Sequence, residues 1–359
     1  MKTLIFTGGG SGGHVMPALT IIKKINMNNE FDIHYIGGIK SIERELVADY
    51  QLIYHPIHTG KLRRYLSVEN LKDIFGIFLG LIDSFKVLWR FKKDDTLVFS
   101  TGGFVSVPVV IAAKLQGKKV YIHEQTSRVG LANKIASIFA SKVFISFEES
   151  FKYFKKGKTY FSGYPVREEC FSETIKEVVI NGRYLNQSSK PILFVTGGGN
   201  GALLINKLIK KNFKELLDNY IVVHQVGKSF IAEYSKLTHP DYFPIAFVGK
   251  EMIDLFKLAT ATVARAGAGS VCELMAVGKK SIYIPLKIAQ KNEQFFNALE
   301  AKNKLGSIVI EEDNLNDEVF LKSLKEIGFD NPMIKIQGQN GLDFLVKEIR
   351  KYFDEAVKH

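Results

Sequence analysis

Residues 2–7, Lys-Thr-Leu-Ile-Phe-Thr, form a short apolar run of β character. Gly8-Gly9-Gly10-Ser11-Gly12-Gly13-His14 follows. Beyond Pro17 the apolar residues Ala18, Leu19, Ile21, Ile22 and Ile25 recur at helical spacing. The stretch reads as strand, glycine turn, helix. Residues 31–37 then read as a strand, 42–50 as a helix and 52–55 as a strand. More strands are expected at 96–100, 120–123 and 143–146, and this alternation argues for a parallel sheet with helices on both faces. The second half repeats the plan. Residues 191–196 are an apolar run, Gly197-Gly198-Gly199-Asn200-Gly201-Ala202 is a second glycine turn, and Leu203, Leu204, Ile205, Leu208 and Ile209 continue at helical spacing. Further strands are expected at 220–225, 245–248, 262–264 and 281–285. The pattern predicts an α/β chain of two Rossmann-like domains, 1–163 and 164–340, facing each other across a cleft. The boundary falls at Tyr164-Pro165, where proline enforces extended backbone. The amphipathic stretch from about 341 to the end at 359 is expected to fold back on the first domain.

Residues 61–93 break the rhythm. Leu71, Ile74, Phe75, Phe78, Leu79, Leu81, Ile82, Phe85, Leu88 and Trp89 make an apolar face wider than a water-facing helix needs. Lys61, Arg63, Arg64, Lys72, Lys86, Arg90, Lys92 and Lys93 flank and punctuate it. With Asp83 inside, it is a poor spanning helix. It suits one that rests on a bilayer, with Ile74, Phe75, Phe78, Leu79 and Trp89 inserted and Lys72, Lys86 and Arg90 among anionic headgroups. A broad core helix explains many of the same apolar positions, and one helix can serve both uses on different sides.

Charge sharpens this picture. The net charge is +12 over 359 residues. Residues 1–163 carry 23 Lys and Arg against 13 Asp and Glu, whereas 164–359 carry 26 against 24. The positive field therefore belongs to the first half, which suits nucleic acid, an anionic membrane surface or a phosphorylated substrate. Cys170 and Cys272 are the two cysteines. Without a CxxC they point to a reducing cytoplasm rather than a disulfide scaffold. No signal peptide is expected, because the first apolar run is short and enters the glycine turn. No uninterrupted apolar run reaches the roughly 18 residues of a spanning helix.

The candidate chemistry gathers at the turns. Glycine turns that open helices bring N–H groups and a partial positive charge to an anion, usually phosphate. His14, at the mouth of the first turn, is placed to move a proton near neutral pH. Thr101-Gly102-Gly103-Phe104 and Glu124-Gln125-Thr126 end two other strands of the same half, and ligands of doubly wound sheets collect at such ends. Glu124 reads equally as a structural hydrogen-bonding residue or a catalytic one. In the second half, Arg265-Ala266-Gly267-Ala268-Gly269-Ser270 enters another helix, with Glu273 in its first turns. That carboxylate caps the helix or accepts hydrogen bonds from a ribose diol. Gln294 and Asn297 share one helix face. Asp94-Asp95 reads as a solvated turn, so no acidic pair stands at a glycine turn to hold a metal.

Taken in order, several of these stretches resemble the MurG family of bacterial N-acetylglucosaminyltransferases, glycosyltransferase family 28. They are the 8–14 loop followed by Val15-Met16-Pro17, Thr101-Gly102-Gly103-Phe104-Val105-Ser106, His123-Glu124-Gln125, and Gly163-Tyr164-Pro165-Val166-Arg167. The 197–202 loop, Arg265-Ala266-Gly267-Ala268, Glu273, and Gln294 with Asn297 complete the set. The resemblance runs over essentially the whole chain. It implies a GT-B fold and transfer of GlcNAc from UDP-GlcNAc to the MurNAc 4-hydroxyl of an undecaprenyl-diphosphate-linked MurNAc-pentapeptide (lipid I), giving lipid II for peptidoglycan. It also implies inversion at the sugar, no metal in the site, no cofactor beyond the UDP-GlcNAc substrate, and no nucleic-acid partner. A peripheral place on the cytoplasmic face of the cell membrane and contacts with other cell-wall synthesis and division proteins follow from the same resemblance.

By that resemblance the donor is held by Arg167, Gly199, Asn200, Val248, Arg265, Ala268, Gly269, Ser270, Glu273, Gln294 and Asn297. Ser11, Gly12, Gly13 and Thr126 add to it from the first domain. The acceptor diphosphate falls to Gly9, Gly10, Gly102 and Gly103, with His14 as base and Glu124 facing the acceptor. The chain departs from the family at Thr126 (usually Asn), Gly199-Asn200 (usually Ser-Gln), Tyr164 (usually Asn) and Phe104 (usually Tyr). The competing readings are another GT-B UDP-sugar enzyme, either a soluble-acceptor transferase or a UDP-GlcNAc 2-epimerase, and a basic binding module without turnover.

Overall fold

A computed structural model describes residues 2–27, 30–60, 68–288, 292–334 and 340–356. The chain divides into two compact units: Met1–Val166 with Gln339–His359 form unit 1, and Arg167–Gly338 form unit 2.

Unit 1 runs β1 (Thr3–Thr7), α1 (Gly12–Asn26), β2 (Asp32–Gly38), α2 (Ile42–Ala48), β3 (Ile53–Ile57), α3 (Val68–Leu88), β4 (Thr96–Ser100), α4 (Ser106–Leu115), β5 (Lys119–Glu124), α5 (Leu131–Phe139), β6 (Lys142–Ile145) and β7 (Thr159–Phe161). Its seven strands pair in the order β3-β2-β1-β4-β5-β6-β7, every pair parallel. Parallel sheets are covered on both faces, so their strands are apolar throughout rather than alternating. β1 obeys this. Leu4 and Phe6 face a core with Val15, Leu19 and Ile22 of α1, while Ile5 faces a second core with Val98, Val109 and Val110.

Unit 2 runs β8 (Val179–Ile180), β9 (Arg183–Tyr184), β10 (Ile192–Thr196), α6 (Leu203–Lys211), α7 (Phe213–Asn219), β11 (Ile221–Gln225), α8 (Ile231–Tyr234), β12 (Tyr242–Ile245), α9 (Met252–Leu258), β13 (Ala261–Ala264), α10 (Ala268–Val277), β14 (Ile282–Tyr283), α11 (Glu293–Leu305), β15 (Ile308–Val309) and α12 (Asp317–Ile327). Six strands form a parallel sheet ordered β12-β11-β10-β13-β14-β15, and β8 and β9 make a separate hairpin. The last helix, α13 (Gly341–Ala356), returns to unit 1, where Leu342, Leu345, Val346, Ile349 and Phe353 join the core under α1. The strand expected at 245–248 is displaced: β12 is Tyr242–Ile245 and contains Pro244. β12 is an edge strand, and an edge tolerates a residue without an N–H.

Two histidines are buried in these sheets. Burial pushes His123 down to about 4 and His224 to about 3. His224 is held neutral between the Tyr242 hydroxyl (3.0 Å) and the Asn206 carbonyl oxygen (3.0 Å). Both folded-state values lie below the unfolded value of roughly 6.5, so below that pH the unfolded chain binds more protons. Stability is therefore expected to be lost progressively as pH falls from about 6.5 toward 4. Urea midpoints across that range check this, and replacing His224 with Phe should flatten the dependence.

Candidate active site

In open parallel sheets, ligands collect beyond the carboxyl ends of the strands at which the strand order reverses. In unit 1 those strands are β1 and β4, paired with Thr7 opposite Ser100. The loops leaving them are stitched together: Gly9 N–H donates to the Gly102 carbonyl (3.1 Å) and Thr101 N–H to the Thr7 carbonyl (2.9 Å). Gly103 has φ +83°, and a Cβ there would overlap the Gly9 carbonyl oxygen, so the two loops meet backbone to backbone.

α1 begins at Gly12 without a side-chain cap, and the His14 N–H closes back on the Ser11 carbonyl (3.1 Å), which leaves the N–H groups of Gly12 and Gly13 without intrahelical acceptors. His14, half-buried, belongs to this turn. Its Nδ1 lies 3.1 Å from the Thr101 carbonyl and 3.3 Å from Gln125 Oε1. Both partners accept, so the ring proton sits on Nδ1 and Nε2 keeps its lone pair. Gln125 is fixed in turn. Its amide nitrogen donates to the Thr101 carbonyl (2.7 Å) and the His123 carbonyl (3.0 Å), and faces His123 Nδ1 at 3.3 Å. His123 Nε2 faces the Gly163 carbonyl and Ser146 Oγ, each at 3.2 Å. A neutral His123 with its proton on Nε2 offers Nδ1 to the Gln125 amide, which turns the Gln125 carbonyl toward His14.

Of the four glycines expected at a diphosphate, three have amides already partnered within the protein. Gly9 donates to Gly102, Gly10 to Glu43 Oε2 (3.1 Å), and Gly102 to Ser100 Oγ (3.2 Å). The Gly9 and Gly102 N–H groups are spent within these loops and the Gly10 N–H on α2. Glu124 is 2% exposed; it accepts from the N–H (3.0 Å) and hydroxyl (2.9 Å) of Thr126 and from Asn133 Nδ2 (2.9 Å). Those contacts order the turn after β5, and Thr126 spends its hydroxyl on them.

Unit 2 repeats the device between β10 and β13, with Thr196 opposite Ala264. The 197–202 loop leaves β10, and Gly199 and Asn200 stand exposed at its tip. Gln225 anchors the loop by donating to the Gly198 carbonyl (2.8 Å) and accepting from Val248 N–H (2.9 Å). The Val248 N–H is thus already spent on Gln225. Beyond β13, α10 starts at Ala268 with Gly267 as its N-cap, and no acidic side chain stands in its first turn. Ala268, Gly269 and Ser270, all half-buried, therefore present uncapped amides. Glu273 lies a turn further on and does not cap the helix. Its two oxygens accept from Arg167 Nε (2.7 Å) and Nη2 (2.9 Å), a bidentate pair that aims the carboxylate.

Other expected donor contacts are turned inward. Arg265 pairs with Glu312 (2.6 Å) and donates to the Ile284 carbonyl (3.0 Å). Gln294 Oε1 accepts from Leu286 N–H (3.0 Å), and Asn297, 1% exposed, donates to the Ala266 carbonyl (3.2 Å). Arg265 and Asn297 brace the turn before α10, and Gln294 braces the loop after β14. Among the described residues, no group of three or more His, Cys, Asp and Glu side chains is placed to hold a metal ion.

The apolar residues of α3 and of the turn after it divide into a buried and an exposed set. Leu88 is buried in the unit 1 core, with Leu81, Phe85 and Val87 packed against it. Phe75, Phe78, Ile82 and Trp89 are exposed by 61%, 57%, 36% and 71%. Leu79 is half-buried beside them, and Lys86 and Arg90 are exposed. The side chains of Lys72 and Ile74 lie outside the described set, as do residues 61–67. No described helix is long and apolar enough to cross a membrane.

Residues 4–145 match the glycosyltransferase family 28 N-terminal domain, and 192–341 match the family's C-terminal domain. The chain belongs to glycosyltransferase family 28. Among family-28 relatives, the UDP-N-acetylglucosamine--N-acetylmuramyl-(pentapeptide) pyrophosphoryl-undecaprenol N-acetylglucosamine transferase of Clostridium botulinum strain Langeland is 35% identical. That match covers 98% of this chain and 99% of the relative. The enzyme of the same name from Clostridium perfringens strain SM101 is 37% identical over 97% of this chain and 98% of its own length. The crystal structure of Acinetobacter baumannii MurG superposes with a TM-score of 0.69 at 21% identity, covering 98% of this chain and all of that one. That likeness supports the same GT-B fold of two Rossmann-like domains.

Sequence reasoning missed three residues that hold these turns in place. Gln225 and Glu312 carry no local signature, because their partners lie far along the chain. Glu43 hid as an ordinary acidic residue in the first turn of α2. Only the parallel pairing of β1 and β2 carries it to the glycine loop.

Proposed function

We propose that this family-28 enzyme transfers GlcNAc from UDP-GlcNAc to the MurNAc 4-hydroxyl of lipid I, forming lipid II. The observation that carries the reading is the match, over 98% of the chain, to relatives named for that reaction. The site chemistry fits it. His14 Nε2 takes the proton of the acceptor hydroxyl as the hydroxyl oxygen attacks C1 of the sugar from the face opposite the leaving group. The bond from C1 to the phosphate oxygen breaks with inversion, and UDP departs with the electron pair. The N–H groups of Ala268–Ser270 and the 197–202 loop take that charge without a metal ion. Glu273, aimed by Arg167, accepts from the ribose diol.

Incubation with UDP-GlcNAc and a lipid I analogue tests the reading. Release of UDP with a GlcNAc–MurNAc product is expected. Conversion of UDP-GlcNAc to its 2-epimer without any acceptor would overturn it in favour of an epimerase.

The exposed face of α3 supports peripheral attachment to an anionic bilayer, aromatic side chains inserted and Lys86 and Arg90 at the headgroups. Inserting one such aromatic side chain contributes about 2 kcal/mol. Charging Phe75, Phe78 and Trp89 together to Asp is expected to weaken binding to phosphatidylglycerol vesicles more than tenfold, with turnover on a water-soluble acceptor analogue unchanged. Sedimentation with vesicles reads this; undiminished co-sedimentation would remove α3 from the role.

A further inference from the structure

The two glycine loops differ in one respect that their sequences hide. In unit 2, neither Gly199 nor Asn200 donates its N–H to a protein acceptor among the described residues, and the loop tip is exposed. In unit 1 the corresponding seat is filled. Glu43, fully buried on α2, accepts from Gly10 N–H (3.1 Å) and from Gly38 N–H at the end of β2 (3.0 Å). The fit is close: a Cβ on Gly9 would fall inside the Glu43 carboxyl group, and one on Gly37 would meet its Cγ and the Tyr54 hydroxyl. Tyr35 and Tyr54 roof the pocket, donating to the Gly8 (2.6 Å) and Gly38 (2.8 Å) carbonyls. A glycine turn after the first strand of a Rossmann-like unit ordinarily gives its N–H groups to a phosphate, and an acidic residue near the end of the second strand meets a ribose. Here the acidic side chain turns inward and takes the loop amide itself.

We propose that Glu43 is a positioning residue for the transfer reaction: its carboxylate fills the anion seat of the unit 1 loop from within. That shuts the nucleotide diphosphate out of this loop. It also holds the loop so that the α1 amides at Ser11–Gly13 and His14 Nε2 are the groups left to face the acceptor. Which of two similar glycine turns takes the nucleotide is thus decided by a side chain outside both. The inference rests on the transfer reaction proposed above.

The test compares the parent enzyme with Glu43→Gln and Glu43→Ala in steady-state kinetics on UDP-GlcNAc and a lipid I analogue. Glutamine keeps the volume but turns one N–H···O contact into two opposed donors. A displacement of about 1 Å in a positioned group costs on the order of 100-fold. Both variants are expected to lose about that much in kcat/KM for the acceptor, with KM for UDP-GlcNAc within twofold of the parent. Sodium formate, a carboxylate small enough for the vacated pocket, should restore part of the rate in Glu43→Ala and none in Glu43→Gln. Acceptor kcat/KM within twofold of the parent in either variant would overturn the proposal. So would equal losses toward both substrates without formate rescue, the sign of a fold-wide defect. Amide exchange over 8–14 gives a readout independent of turnover. Faster exchange in Glu43→Gln is expected, and unchanged exchange would overturn the proposal even in an enzyme that proved to catalyse another reaction.

Discussion

Replacing His14 with Ala is expected to lower turnover by about 100- to 10,000-fold, the usual worth of a positioned general base, while UDP-GlcNAc binds as before. The asymmetry follows from where the groups sit. His14 belongs to the first turn of α1 in unit 1, whereas the amides of α10 and the Arg167–Glu273 pair belong to unit 2. Its readiness as a base comes from its neighbours: the Thr101 carbonyl and Gln125 Oε1 hold the proton on Nδ1. Gln125→Glu keeps an oxygen at His14 but sets its other oxygen against the Thr101 and His123 carbonyls, so it should also cost activity. Gln125→Leu removes the carbonyl and should cost part of what His14→Ala costs. Stopped-time product assays with calorimetric UDP-GlcNAc titration separate the two effects; near-parental turnover in His14→Ala would remove the residue from its role.

The second large effect is expected at Glu273. Its carboxylate is 16% exposed and bound at both oxygens by Arg167. Glu273→Ala removes the acceptor proposed for the ribose diol and strands the guanidinium. A hydrogen bond to a charged group contributes about 1.5–3 kcal/mol, so UDP affinity should fall roughly 10- to 100-fold. Arg167→Ala should weaken UDP less, because Glu273 stays in place but loses its aim. Calorimetry on both variants checks the order, and an unchanged affinity in Glu273→Ala would count against a nucleotide site at α10.

The fold was legible because its signals are local. A continuous apolar run before a glycine turn and a helical stripe after it mark β1–α1 and β10–α6 alike, and repetition of that device marks two Rossmann-like units. The edge strand β12 was misplaced because Pro244 hides a strand from any reading that treats proline as a breaker. At the site, residue types were readable but their commitments were not. Gly9 and Gly10 look like free amides in sequence, yet each donates to a partner that only the sheet order brings near, and Gly102 donates to Ser100 two residues before it. Arg265 looks like a cation waiting for phosphate until Glu312, 47 positions on, neutralises it. A capping role for Glu273 stayed open beside a ribose contact because helix starts are uncertain by one or two residues, and only the backbone puts it beyond the first turn.

The division of labour between the two loops is the centre of this account, and hydrogen exchange with and without saturating UDP tests it most directly. Slowed exchange over 197–202, around 248 and over 268–273, with 8–14 unchanged, is the expected result. Protection concentrated at 8–14 instead would place the nucleotide in unit 1 and contradict the assignment of His14, Glu43 and Glu273 together.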